Sequence, residues 1–308
     1  MILYTYACRL EKSGISEGAF VVIMGISHRG ISSIRKKIGE RKMSKKIVFC
    51  GGGNMAEGVI RSLITREVAA PADITVSEMT EARCNYLNET YGVNAVIGAE
   101  KAMKEADVAI IAVLPKIVPV VAKQLKELLK KDALIISIAA GVKIAEMEEM
   151  MGNDRKIARV MPNTLNKAGN GHSAVCLNDN VTAEEKEVVT SILNSLGQTM
   201  YLPETMFNEF TAYSCSGPMW LYQIADALID AGVYSGFSRK DARQIVIKNM
   251  LGVAMVLDET GAAPKDMVSA MCSPGGVTIE GYKTLVDMGF ASSVMTSVAD
   301  AVAKANSI

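Results

Sequence analysis

The stretch GGGNMAE (51–57) places Gly51, Gly53 and Ala56 at the three small-residue positions of a G-x-G-x-x-A turn. In such a turn the first glycine permits a tight reversal and the second lets the backbone approach a pyrophosphate. The third small residue lets the following helix pack close to its strand. A helix beginning near Met55, just after Asn54, would aim N–H groups and a partial positive charge at phosphate. A glycine turn alone is a weak signal. Here it follows the apolar end of KKIVFC (45–50) and precedes an amphipathic run, which is the strand–turn–helix context a dinucleotide site needs. The second stretch with chemical potential is CSPGGVTIEGY (272–282). Pro274 reads as the first residue of a helix, where its missing N–H costs nothing. Gly275 and Gly276 leave the backbone bare for close approach. The N–H groups of that first turn suit a small carboxylate, with Ser273, Val277 and the hydroxyl of Thr278 beside it. Taken alone, the stretch fits a plain helix-start turn equally well. Beside a dinucleotide motif, the ligand reading is preferred.

Both stretches need a frame. DITVSE (73–78) is a second strand, ending in Ser77 and Glu78. An acidic residue there commonly binds the adenosine ribose hydroxyls and favours NAD. Ser77, with Arg83 nearby in sequence, could instead meet a 2′-phosphate, so both NADPH and NADH stay open. VNAVI (93–97), ADVAIIAVLP (106–115) and ALIISIAAG (133–141) follow, and the last two are near-continuous apolar runs. Such runs belong to strands buried on both faces of a parallel sheet. Ligands bind such sheets at the carboxyl edge, which places Ala112, Val113, Leu114 and Pro115, and then Ala139, Ala140 and Gly141, at the site. KIARVMPNT (156–164), HSAVCL (172–177) and TMYLPE (199–204) read as further strands, with Met161, Pro162 and Asn163 at one strand end.

From about residue 204 the apolar spacing becomes three and four, which is helical. Gly232 and Gly236 read as helix ends. Ser238 reads as a cap with Asp241 at the third position, and Gly261 and Pro264 mark a further break. Long apolar helices with no strands to cover need a partner surface, so an obligate homodimer is expected. The fold class is α/β: a Rossmann dinucleotide-binding domain at 43–203, followed by an all-helical dimerisation and substrate-binding domain at 204–308.

The composition narrows the function classes. Formal net charge is zero, so no global field favours nucleic acid or an anionic membrane. Apolar residues make up 49% and aromatics 5%, and the 19 Met serve as core filler. The six cysteines include no C-x-x-C pair, and with only His28 and His172 there is no zinc-ligand spacing, so no metal is expected. Scattered thiols suit a reducing cytoplasm. His172 reads as structural. No apolar run reaches the ~18–20 residues of a membrane span. Residues 1–42 hold eight Lys/Arg against three Glu. They read as a disordered or mis-annotated extension before a natural start at Met43. A nucleic-acid role would rest on that basic segment alone.

The chain resembles the pyrroline-5-carboxylate reductase family from Met43 to its end. The stretches that carry the resemblance stand in family order: GGGNMAE, ADVAIIAVLP, SIAAGV (137–142), RVMPNT (159–164), SCSGP (214–218), ADALIDAGV (225–233) and SPGGVTIEG (273–281). The resemblance implies a Rossmann domain plus a helical dimerisation domain. It also implies NAD(P)H-dependent reduction of 1-pyrroline-5-carboxylate to L-proline by direct hydride transfer to a cyclic imine. The site would lie between the domains at the dimer interface. The nicotinamide would reach the region of Met161, Pro162 and Asn163, the substrate carboxylate would sit at 273–278, and Thr278 would donate to the imine nitrogen. Several positions depart from the family's usual pattern: Ala99, Leu114, Cys215, Met219, Trp220 and Val277. Those at Cys215, Met219 and Trp220 keep a different cyclic imine open as substrate. A nucleotide-binding regulatory paralogue without turnover is the rival from another class.

Overall fold

The computed structural model describes residues 45–163, 165 and 171–307. The expected extension at 1–42 and the start at Met43 lie outside them. Strand and helix alternate first. β1 (Ile47–Cys50) leads into α1 (Asn54–Thr65), and β2 (Ile74–Glu78) into α2 (Glu81–Tyr91). β3 (Asn94–Ile97) leads into α3 (Glu100–Glu105), β4 (Val108–Ile111) into α4 (Val118–Leu128), and β5 (Leu134–Ser137) into α5 (Ile144–Met151). β6 (Lys156–Pro162), β7 (Gly171–Leu177), α6 (Ala183–Asn194) and β8 (Gly197–Tyr201) complete the sheet. Its order is β3-β2-β1-β4-β5-β6-β7-β8.

Every residue of β1, β4 and β5 is buried, as their unbroken apolar runs require. One face of the sheet carries Ile47, Phe49, Ile110 and Ile136 against α1, α2 and α6. The other carries Val48, Cys50, Ala109 and Ile135 against α3, α4 and α5. In α1 the buried positions Ala56, Val59, Ile60 and Leu63 repeat at helical spacing, so one stripe faces the sheet. The sheet is not wholly parallel: β6 and β7 run antiparallel. The link between them is shorter than the dozen or so residues a parallel crossover needs. Strand order reverses between β1 and β4, and open α/β sheets bind ligands at that reversal.

The helical part starts at α7 (Phe207–Phe210). It passes through a wide π-type turn at Thr211–Cys215 into α8 (Gly217–Tyr234). α9 (Arg239–Thr260), α10 (Pro264–Met271), α11 (Val277–Asp287) and α12 (Phe290–Asn306) follow. Phe207 and Phe210 pack on Met161 and Ala174 of the sheet. Arg159 of β6 donates from Nη1 to Glu204 Oε1 (2.8 Å) and lies over the Phe207 ring. The same carboxylate oxygen accepts the Ile144 N–H (2.8 Å) at the start of α5. α12 returns to this junction, where Trp220 Nε1 donates to Ser297 Oγ (2.8 Å).

Ser238 caps α9 by accepting the Asp241 N–H (3.1 Å), and Gly261 ends that helix in the left-handed region (φ 62°). Gly232 is not a helix end. It lies inside α8, and a Cβ there would stand 2.8 Å from Cβ of Ala242 on α9. The glycine therefore sets a close helix–helix approach. Gly232→Ala is expected to destabilise the protein by about 1–3 kcal/mol through forced separation of α8 and α9. An unchanged urea midpoint would refute this.

The long helices bury little of themselves. Pro218 is the one buried residue described in α8, and none is described in α10, α11 or α12. Leu221, Leu228, Leu251 and Val253 stand more than half exposed. Among the described residues, no single helix is long and apolar enough to cross a membrane.

Candidate functional site

The loop after β1 lies at the point where strand order reverses. Gly51 has φ +97°, a conformation costly for any residue with a side chain. A Cβ on Gly51 would sit 2.7 Å from the Ala112 carbonyl oxygen and 2.9 Å from Val113 Cγ1. The loops after β1 and β4 therefore touch through a bare backbone. The Gly51 N–H donates to the Ser77 carbonyl (2.9 Å), which ties in the end of β2. At Gly53 a Cβ would project into open space, so the glycine there is not demanded by packing. It leaves the mouth of the loop clear beside the start of α1, which carries no side-chain cap. Ala56 is fully buried, as close helix–strand packing requires.

Gly52 occupies none of the motif's small-residue positions, yet it is the most enclosed of the three. A Cβ there would meet Leu87 Cδ1 at 2.7 Å and Glu78 Cγ at 3.0 Å. The Gly52 N–H donates to Glu78 Oε1 (2.9 Å), and the Met79 N–H donates to Glu78 Oε2 (2.6 Å). Glu57, on the first turn of α1, is an anchor that sequence spacing does not mark. It accepts from Arg83 Nη2 (2.5 Å), Tyr86 (3.0 Å) and Tyr91 (2.7 Å). Burial opposes its ionisation, but these hydrogen bonds and the guanidinium charge outweigh it and hold the carboxyl below its ordinary range. Arg83 Nε also donates to the Gly52 carbonyl (2.7 Å). Partners 26 to 34 residues apart fix the loop from behind and leave its outer side open.

Other expected positions line the same carboxyl edge. Leu114 is 65% exposed beyond β4. After β5, Ala139 is buried in the core, while Ala140 and Gly141 face outward. Met161 and Pro162, which end β6, and Asn163 just after it are all buried. Asn163 Oδ1 accepts the Leu165 N–H (3.1 Å), and its Nδ2 lies 3.4 Å from Ser214 Oγ. These three back the edge rather than project from it. An open glycine mouth, an uncapped helix start and a bare edge fit a nicotinamide dinucleotide.

Comparison with known proteins agrees with this geometry. The family model "Pyrroline-5-carboxylate reductase dimerisation" matches residues 204–308. The model "NADP oxidoreductase coenzyme F420-dependent" matches residues 46–141. Among solved structures, pyrroline carboxylate reductase of Plasmodium falciparum with NADP bound is 28% identical, with TM-score 0.77, covering 87% of this chain and 98% of that one. The Coxiella burnetii pyrroline-5-carboxylate reductase gives TM-score 0.80 at 28% identity, covering 86% and 98%. Pyrroline-5-carboxylate reductase of Arabidopsis thaliana is 32% identical over 265 residues, 86% of this chain and 96% of the relative. That of Escherichia coli K12 is 32% identical over 266 residues, 86% and 99%. The chain belongs to the pyrroline-5-carboxylate reductase family.

In this pyrroline-5-carboxylate reductase family member, residues 273–276 form a tight turn closed by the Gly276 N–H on the Ser273 carbonyl (3.0 Å). Pro274 occupies its second position and Gly275, at φ +67°, its third, a combination suited to a type II turn. Pro274 is therefore not the first helical residue. Gly276 is extended (φ −80°, ψ 168°), so α11 begins only at Val277. Val277 is 91% exposed, and Ser273 and Thr278 are exposed as well. Among the described residues, no hydrogen bond joins this turn to the sheet edge within one chain.

Of the departures from family pattern, Cys215 ends the π-type turn and Met219 and Trp220 lie on the first turn of α8. Cys215 Sγ lies 3.8 Å from the Pro162 carbonyl oxygen, and burial pushes its thiol up to about 11, so it is neutral at physiological pH. Trp220 is spent on Ser297 and holds α8 to α12, while Met219 is exposed.

Proposed function

We propose that this chain reduces 1-pyrroline-5-carboxylate to L-proline with NADPH or NADH. The observation that carries the reading is the loop 51–53: tied from behind to β2 and β4, and open at Gly53 in front of an uncapped helix. Gly51, Gly53, Asn54, Met55 and Ala56 form the pyrophosphate cradle, with 112–115 and 139–141 along the edge and Met161, Pro162 and Asn163 as its back wall. Bound reduced nicotinamide supplies a hydride. The turn at Ser273, Gly275 and Gly276 and the first amides of α11 hold the substrate carboxylate. Thr278, on the first turn of α11, donates its hydroxyl proton to a hydrogen bond at the imine nitrogen. That hydrogen bond polarises the imine, and as the hydride reaches carbon the nitrogen takes up a solvent proton through the same hydroxyl, so the protein mainly supplies orientation, which is worth about 7–11 kcal/mol. No acid–base pair is needed at the reacting carbon.

The protein works as a homodimer. The exposed apolar side chains along α8 to α12, such as Leu221, Leu228 and Leu251, are the surface a second copy covers. A second copy also supplies what one chain leaves apart, by bringing the turn at 273–278 to a sheet edge. The five described cysteines are free thiols, in keeping with a reducing cytoplasm.

The test is oxidation of NADPH and NADH with racemic pyrroline-5-carboxylate, alongside a six-membered cyclic imine carboxylate. Preference for the larger ring would move the substrate, and Cys215 beside Pro162 is where the pocket would differ. Cofactor binding without turnover on either ring would favour the regulatory reading. Thr278→Ala is expected to lower kcat by about tenfold or more with an unchanged circular dichroism spectrum. Near-normal turnover would remove the donor role.

A further inference from the structure

We infer that this chain selects NADH over NADPH, and that Glu78 at the carboxyl end of β2 makes the choice. The inference rests on the reductase reading above and goes beyond it to the cofactor. NADPH differs from NADH by one phosphate on the adenosine ribose, with a charge of about −1.5 to −2. The end of β2 is where that ribose is read in a dinucleotide fold.

Three features of this edge oppose a phosphate. First, Glu78 is fixed there, with Oε1 accepting from Gly52 N (2.9 Å) and Oε2 from Met79 N (2.6 Å). Swinging aside would break both hydrogen bonds, one of them to the N–H of buried Gly52. Its carboxylate is an acceptor, matched to ribose hydroxyls and repelling to a phosphate. Second, Arg83, the cation that could have offset this charge, is committed elsewhere. Its Nη2 binds Glu57 (2.5 Å), its Nε binds the Gly52 carbonyl (2.7 Å), and its guanidinium lies 4.9 Å from the Tyr86 ring centroid. Third, the neighbouring strand adds negative charge. Ile97 of β3 pairs with Glu78, and just beyond it the Glu100 carboxylate folds over Gly98, 3.2 Å from where a Cβ would stand.

The experiment is direct titration of NADH and NADPH into the full chain, followed by nicotinamide fluorescence or calorimetry with no substrate present. The expected result is NADH binding tighter by about tenfold or more. Glu78→Gln should narrow the ratio by a similar factor, mainly through tighter NADPH binding. A loosened loop would weaken both cofactors together and leave the ratio alone, so the ratio separates charge from structure. Glu78→Ser, which removes the carboxylate and its reach, should narrow the ratio further. Equal or tighter binding of NADPH by the unmodified protein overturns the inference and leaves the reductase reading standing. A ratio unchanged in both variants overturns the role of Glu78. Failure of both cofactors to bind the folded protein overturns the inference and the reductase reading together.

Discussion

Glu204→Ala is expected to cost the fold about 3–5 kcal/mol, because it strands a buried guanidinium. The Arg159 side chain is only 5% exposed, and its ion pair with Glu204 spans 2.8 Å. Its Nε already has no hydrogen-bond partner among the described residues, so there is no second acceptor to take over. The same substitution removes the acceptor for the Ile144 N–H, the first amide of α5. The position matters beyond stability. Arg159 lies on β6, two residues before Met161, and Glu204 opens the helical half, so the pair joins the two parts beside the site. Urea unfolding would measure the loss. Arg159→Met in the Glu204→Ala background should recover much of it, because a buried pair replaced by apolar groups is often neutral. A loss below about 1 kcal/mol would place the pair among solvated surface bridges and refute this account.

Gly51→Ala is expected to cost about 2–5 kcal/mol and to weaken dinucleotide binding severely. The first part is backbone strain: an L-residue at positive φ pays roughly 1–2 kcal/mol. The second part is overlap. The added methyl would stand 2.7 Å from the Ala112 carbonyl oxygen, which is backbone and cannot swing away, and 2.9 Å from Val113 Cγ1. Overpacking of this kind costs about 1–3 kcal/mol. The loop must shift to relieve it, and the Gly51 hydrogen bond to Ser77 is strained with it. Gly53→Ala is the control. Its methyl enters open space, so stability should change by only about 0.5 kcal/mol. Dinucleotide affinity should still fall, because the methyl fills the approach left for pyrophosphate. Thermal denaturation and NADH titration of the two variants separate these effects. Equal stability losses would mean the two glycines do the same job.

Much of the frame was legible in the sequence because it is set by local physics. Unbroken apolar runs at 108–111 and 134–137 give strands buried on both faces, and three-and-four spacing after 204 gives helices. Ser238 three residues before Asp241 makes a cap, because a hydroxyl at that spacing reaches the amide. The glycine turn at 51–53 could be placed for the same reason, since strand, turn and helix lie within twenty residues. What the sequence left open was set by partners distant along the chain. Three adjacent glycines look alike in one dimension. Only the fold gives Gly51 the Ala112 carbonyl, Gly52 the Leu87 side chain and Gly53 open space. Ser77, Glu78 and Arg83 carry a divided signal in the sequence, and only the fold has Glu57 holding the arginine and two loop amides holding the glutamate. Gly232 read as a helix end because a break and a close helix crossing both call for glycine, and only Ala242 on the next helix distinguishes them. The sequence by itself determined the elements and the residue types offered at their ends. The tertiary structure decided which of those groups are already spent on one another and which remain open, because hydrogen bonds and steric contacts depend on distance in space and a sequence records only order.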